Sequence, residues 1–193
     1  AAIRALEGGI SFSGIVEADE LLMKYSEKGR KFKNKEEYQR AKRKKHPKVA
    51  VLVVTDREGN LLFKQVGEKK VKNEQLREEL KSRLSENNLI CVKPKKEFRK
   101  GIKGLQSKKV IVNKRQIKRG IYSVKIVENK ISDFKTWLSR FHGVATKYLQ
   151  SYLMWFVIMN KYLKELIDSD IGRLLNLSSH DRWAWDKYRE IVS

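Results

Sequence analysis

Val49-Ala50-Val51-Leu52-Val53-Val54-Thr55, followed by Asp56-Arg57-Glu58-Gly59-Asn60 and then Leu61-Leu62-Phe63-Lys64-Gln65-Val66, decides the fold class. An unbroken run rich in β-branched residues has no polar face, so it reads as a strand covered on both sides. The Asp, Gly and Asn after it supply turn chemistry, and the two apolar runs therefore form a hairpin. A sheet whose inner strand is covered twice belongs to an α/β domain.

Outward from the hairpin, strands alternate with helices. Ile10 to Glu20 alternates toward β. Asn73 to Leu84 places Leu76, Leu80 and Leu84 four residues apart, the spacing of an amphipathic helix. Asn88 to Val92 is a further strand; Pro94 biases Lys93 toward extended backbone and cannot donate to a ladder. Lys109 to Asn113 reads as a short strand, and from about Val127 the pattern is helical to the end. There, Leu149, Tyr152, Leu153, Phe156, Val157 and Leu163 form an apolar stripe with Thr146 as its expected N-cap. Trp183, Trp185 and Tyr188 are expected to close the core or present a dimer surface. A meander, a helix, a strand, a basic connection, another strand and a helical block together match a ribonuclease-H-like mixed sheet with flanking helices and a helical C-terminal extension. The expected division is 10–165 for this domain and 166–193 for a helical tail.

The 193 residues suffice for one domain with an appendage. Lys and Arg number 44 against 23 Asp and Glu, a formal charge of +21, and this balance calls for a polyanion such as nucleic acid. Lys24 to Lys48 and Lys93 to Arg119 concentrate the cations with few acids between them, as a surface that tracks phosphates rather than reads bases. Lys161 to Ser193 balances its charges, so it reads as packing or protein contact. The single cysteine, Cys91, excludes a disulfide framework and a thiolate zinc cluster; in the run Leu89-Ile90-Cys91-Val92 it reads as a buried structural thiol. The longest apolar run, Leu153 to Met159, is far shorter than the ~20 residues of a membrane span. A cytoplasmic, nucleoid-associated protein without a membrane partner is the expectation.

Two stretches carry a resemblance. Gly14-Ile15-Val16-Glu17-Ala18-Asp19-Glu20, with Ser26-Glu27-Lys28-Gly29-Arg30 and a basic stretch leading into the β run, resembles the opening of bacterial insertion-sequence DDE transposases of the ISXO-like, Merlin-related kind. Phe141-His142-Gly143-Val144-Ala145-Thr146-Lys147-Tyr148-Leu149-Gln150-Ser151-Tyr152-Leu153-Met154-Trp155-Phe156 resembles the signature helix of the same family. The resemblance implies cleavage and joining of double-stranded DNA, at element ends and target, by carboxylates that hold two Mg²⁺ (or Mn²⁺) ions about 4 Å apart. By the family's pattern Asp19 is the first catalytic and metal-binding acid and Glu128 the third. Lys135 lies two helical turns beyond Glu128 and, with Lys147, Arg43, Lys44 and Lys45, is expected to contact DNA. A homodimer is expected by analogy, because two DNA ends must meet. Taken alone, Asp19 could open a turn, and Glu128 could serve the helix dipole for about 0.3–1 kcal/mol.

The departures bear on activity. The family's second acid falls on Lys93, and its histidine near the third acid falls on Ser123. An ammonium in place of a carboxylate inverts the local charge; with unit charges about 4 Å apart at an effective dielectric near 20, each interaction is worth on the order of 4 kcal/mol against a second cation. Lys93 is expected to pair with Asp19 where a metal would sit, while Glu86 and Glu97 are poorly placed to supply a substitute ligand. No Cys-x-x-Cys pair is available for a zinc ribbon, so an N-terminal end-recognition portion of that kind is not expected in this chain. Two readings follow: a transposase catalytic domain impaired at its second acid, or a catalytically inactive, transposase-derived DNA-binding protein.

Overall fold

The computed structural model describes residues 10–43, 47–113, 118–119 and 121–166. Its centre is a five-stranded sheet of β1 (Ile15–Met23), β2 (Val49–Asp56), β3 (Leu61–Glu68), β4 (Leu89–Val92) and β5 (Lys108–Ile111), in the order β3-β2-β1-β4-β5. β2 runs antiparallel to both neighbours, whereas β1, β4 and β5 are parallel. This mixed order is that of a ribonuclease-H-like sheet. α1 (Lys35–Arg43) lies between β1 and β2, α2 (Asn73–Lys81) between β3 and β4, and α3 (Lys96–Lys103) between β4 and β5. A two-residue ribbon of β6 (Lys118–Arg119) and β7 (Tyr122–Ser123) leads into α4 (Lys125–Ser139), and a 3-10 turn, Thr146–Tyr148, into α5 (Leu149–Leu166).

Every residue of β2 is buried, as its unbroken apolar run requires, because helices cover both faces. On one side Leu21, Val51, Val53, Phe63 and Cys91 pack against Val127 and Phe134 of α4 and Leu153 and Phe156 of α5. The rings of Phe63, Phe134 and Phe156 meet there with centroids 5.0–5.5 Å apart. On the other, Val16, Ala18, Leu52, Val54, Ile90 and Val92 pack against Leu76 and Leu80 of α2 and Phe98 and Ile102 of α3. Asp56 closes the hairpin by accepting from the Asn60 backbone (2.9 Å) and side-chain amide (2.7 Å), with Gly59 at φ +95°.

Four expectations shift. The first strand begins at Ile15, not Ile10, because Gly14 at φ +54° breaks the extended backbone and the amide of Ser13 is taken by Asp56. It runs on to Met23 because Leu21, Leu22 and Met23 find partners in β2. The basic connections hold helices α1 and α3; the spacing of Phe98 and Ile102 in α3, with Leu105 just beyond its end, is the apolar signal beneath the charge. Thr146 does not cap α5. Its hydroxyl accepts from the Ser26 amide (2.8 Å), and Ser26 returns its carbonyl to the Thr146 amide (2.8 Å), which ties the chain after β1 to the α4–α5 turn. Of the expected C-terminal stripe, Leu149, Leu153, Phe156 and Val157 are buried; the side chain of Leu163, the tail from 167 onward, and Trp183, Trp185 and Tyr188 lie outside the described residues.

α2 and α3 cross closely at Gly101, where a Cβ would stand 2.6 Å from Leu76 Cδ2 and 3.1 Å from the Asn73 carbonyl. Gly101→Ala is therefore expected to destabilise the domain by about 1–3 kcal/mol through overpacking, against the gain of up to about 1 kcal/mol that Ala brings to an open helix. Urea unfolding checks the sign.

Candidate active site

Strand alternation puts Glu17 and Asp19 on the α4 side of β1 and Cys91 on the same side of β4. The parallel register pairs Glu17 with Cys91 and Ala18 with Val92, so the next step along both chains brings Asp19 opposite Lys93. Glu128 stands in the first turn of α4, which β7 delivers over the same edge.

The three meet at one nitrogen. Lys93 Nζ lies 2.5 Å from Asp19 Oδ2 and 2.7 Å from Glu128 Oε1. A second ammonium, which the sequence did not announce, joins them: Lys95 Nζ is 2.9 Å from Asp19 Oδ1 and 3.0 Å from Glu20 Oε1. Glu20 Oε2 in turn accepts from the Val71 amide (3.1 Å). Asp19 is almost wholly buried, at 5% side-chain exposure, and each of its oxygens touches a lysine. Burial raises its carboxyl, but the hydrogen bonds from Lys93 and Lys95 outweigh burial and hold it below the usual aspartate range. Burial lowers the Lys93 ammonium, and Asp19 and Glu128 together lift it above the usual lysine range.

Glu17 is the other residue that sequence reasoning passed over. It is fully buried and accepts from the Ser123 hydroxyl (2.9 Å) and from the amides of Ile126 (2.8 Å) and Val127 (3.1 Å). The N-cap position of α4 is Val124, which has no side-chain acceptor, so Glu17 from the sheet satisfies the helix's first amides. Burial raises the Glu17 carboxyl, opposed by Val127, Ser123 and Ile126. Beside it the Cys91 thiol is pushed up to about 11, first by burial and then by Glu17, which makes it inert. Ser123 is thus occupied in holding Glu17.

The remaining candidates stand apart from this cluster. Lys135 is exposed two turns along α4; Lys147 is exposed, with Nζ 4.7 Å from the centre of the Tyr148 ring; Arg43 is exposed at the end of α1. Lys44 and Lys45 lie outside the described residues. Glu97 pairs with Lys70 and Glu86 is exposed, so neither supplies a ligand to the cluster.

A divalent ion does not fit this donor set. Among the described residues no group of three or more His, Cys, Asp or Glu side chains could hold a metal. Both Asp19 oxygens and one Glu128 oxygen are already bonded to ammonium groups.

Residues 11–159 match the family described as ISXO2-like transposase domain, and the chain belongs to that family. No curated protein sequence matches it. Among solved structures it is similar to a chain of the cryo-EM structure of a simian T-cell lymphotropic virus intasome in complex with PP2A regulatory subunit B56 gamma, at 15% identity and a TM-score of 0.47. That similarity covers 76% of this chain and 49% of the other. No helix among the described residues is long and apolar enough to cross a membrane.

Two measurements probe the cluster and the cap. Glu17→Ala leaves two helix amides without their acceptor and is expected to cost about 1–3 kcal/mol, whereas Glu17→Gln, which keeps one acceptor oxygen and avoids the buried charge, is expected to recover most of that loss in urea unfolding. The ion cluster should make stability depend on pH at both ends. Asp19, lowered on folding, contributes above the ordinary aspartate value of about 3.9, and its contribution is lost as pH falls through the lowered one. Lys93, raised on folding, contributes below about 10.4 and loses that contribution as pH rises through its raised value. Lys93→Met should cost about 1.5–3 kcal/mol near neutrality and flatten the alkaline limb in midpoints measured across pH.

Proposed function

We propose that this chain is a transposase-family domain that binds duplex DNA but does not carry out metal-dependent strand cleavage. The single observation that supports it is the Lys93 ammonium bonded at once to Asp19 and Glu128, with Lys95 on the other Asp19 oxygen. Two-metal cleavage needs carboxylate oxygens free to bridge cations; here those oxygens face fixed positive charge. Binding needs only the cations, and a formal charge of +21 supplies them. In this reading Lys135, Lys147 and Arg43 are DNA contacts, and a homodimer would bring two duplexes together. Asp19 and Glu128 still converge on one point, which supports descent from a cleaving arrangement in which both were metal ligands.

The decisive assay is nicking of labelled supercoiled DNA with Mg²⁺ or Mn²⁺, alongside calorimetric metal titration. The chain is expected to bind no divalent ion at the cluster and to leave the DNA intact. Metal-dependent nicking that disappears in Asp19→Ala would overturn the proposal. Lys93→Asp alone is expected to restore little metal affinity, since Lys95 still occupies Asp19 Oδ1; the double substitution Lys93→Asp with Lys95→Ala should restore more, read as heat of Mn²⁺ binding.

A further inference from the structure

The geometry points to the outer face of α3 as a further surface that tracks the DNA backbone, on the other side of the sheet from Lys135, an assignment that rests on the DNA-binding reading above. Lys96, Arg99, Lys100 and Lys103 fall at i, i+3, i+4 and i+7, so they form one stripe along the helix, and all four are exposed. Phe98, Gly101 and Ile102 begin the same spacing two residues later; they lie on the opposite face of the helix and are buried. The helix is therefore held rigidly by its apolar side and presents only cations on the other. Its one acid, Glu97, lies off the stripe and is occupied by Lys70. None of the four stripe cations takes part in an ion pair at salt-bridge distance among the described residues. Lys109, exposed on β5, pairs in register with Ile90 and so lies on the same side of the sheet as α3.

The other basic segment is different. α1 carries Glu36 and Glu37, and Glu37 holds Arg30 at 3.0 Å and the Lys33 amide at 2.8 Å, so part of its charge is neutralised internally. Lys28 is likewise occupied, donating to the carbonyls of Phe141, His142 and Gly143.

Chemistry selects the partner. Seven residues of helix advance about 10 Å, which is about three base-pair steps at 3.4 Å each along one strand. The stripe has no aromatic ring on which an unpaired base could stack and no amide side chain to read a base edge, so it suits the phosphates of a duplex without sequence preference. An amphipathic helix that binds membranes inserts its apolar face, and here that face is committed to the core.

The test is fluorescence anisotropy of a labelled random-sequence duplex over a range of KCl, with the parent chain, the stripe variant (Lys96→Gln, Arg99→Gln, Lys100→Gln, Lys103→Gln) and a comparison variant (Lys31→Gln, Lys33→Gln, Lys35→Gln). Each phosphate contact removed should lower the slope of log affinity against log salt by about 0.9. The stripe variant is expected to lose about 2–4 from that slope and at least about tenfold in affinity near 0.1 M salt, with its urea midpoint unchanged because all four side chains are exposed. The comparison variant is expected to lose less. A parent that binds with a stripe variant that binds equally well overturns the assignment to α3 alone, as does a larger loss in the comparison variant. Tighter parent binding to a duplex RNA or to phosphatidylglycerol vesicles, lost in the stripe variant, overturns the choice of partner. A parent that binds no duplex at all sinks the proposed function and this inference with it.

Discussion

Two carboxylates buried side by side on one strand set the terms for this structure. Glu17 and Asp19 both face α4 from β1, and neither can remain there ionised unless donors meet it. The fold answers them differently. Glu17 receives backbone amides and a hydroxyl, which are dipoles, while Asp19 receives two full positive charges. The first arrangement docks the start of α4 against the sheet. The second fixes where β4 leaves the sheet and where α3 begins, because Lys93 and Lys95 flank Pro94 and both must reach Asp19. Helix position, strand exit and site electrostatics therefore follow from one face of one strand.

Much of this was legible in the residues. The apolar run Val49–Thr55 could only be an inner strand, and Asp56 to Asn60 only a turn, since both signals are local. The meeting of Asp19 with Lys93 followed from placing both at the ends of neighbouring strands. What could not be read was whatever depended on a partner far along the chain. Glu17 looks like any strand acid until α4, more than a hundred residues on, arrives with unsatisfied amides. Thr146 has the right identity for a cap, yet its hydroxyl is claimed by Ser26 across 120 positions. Lys95 was hidden for a third reason, the uniformity of the basic segment around it: among so many lysines nothing local marks the one whose side chain turns inward.

The same uniformity disguised α3. Charge density made the stretch after Lys93 look like a basic connection to the next strand, whereas the phase of Phe98 and Ile102 gives Lys96–Lys103 an inner and an outer helix face. Composition reports how much charge a segment carries. Only periodicity reports whether that charge shares a side.

An internal ammonium also differs from a bound ion in what it asks of the fold. A metal must be captured from solution by carboxylates that repel one another before it arrives, so a domain built around one gains stability that rises with the logarithm of the free ion's concentration. Lys93 is tethered to β4 and present at constant effective concentration, so it meets Asp19 of β1 and Glu128 of α4 without being captured from solution. The cost falls on chemistry: an ammonium has no empty coordination position with which to polarise a phosphoryl oxygen or acidify water. A lysine at this position can thus supply the charge neutralisation that a metal would bring to Asp19 and Glu128, without the open coordination position that metal-assisted chemistry uses.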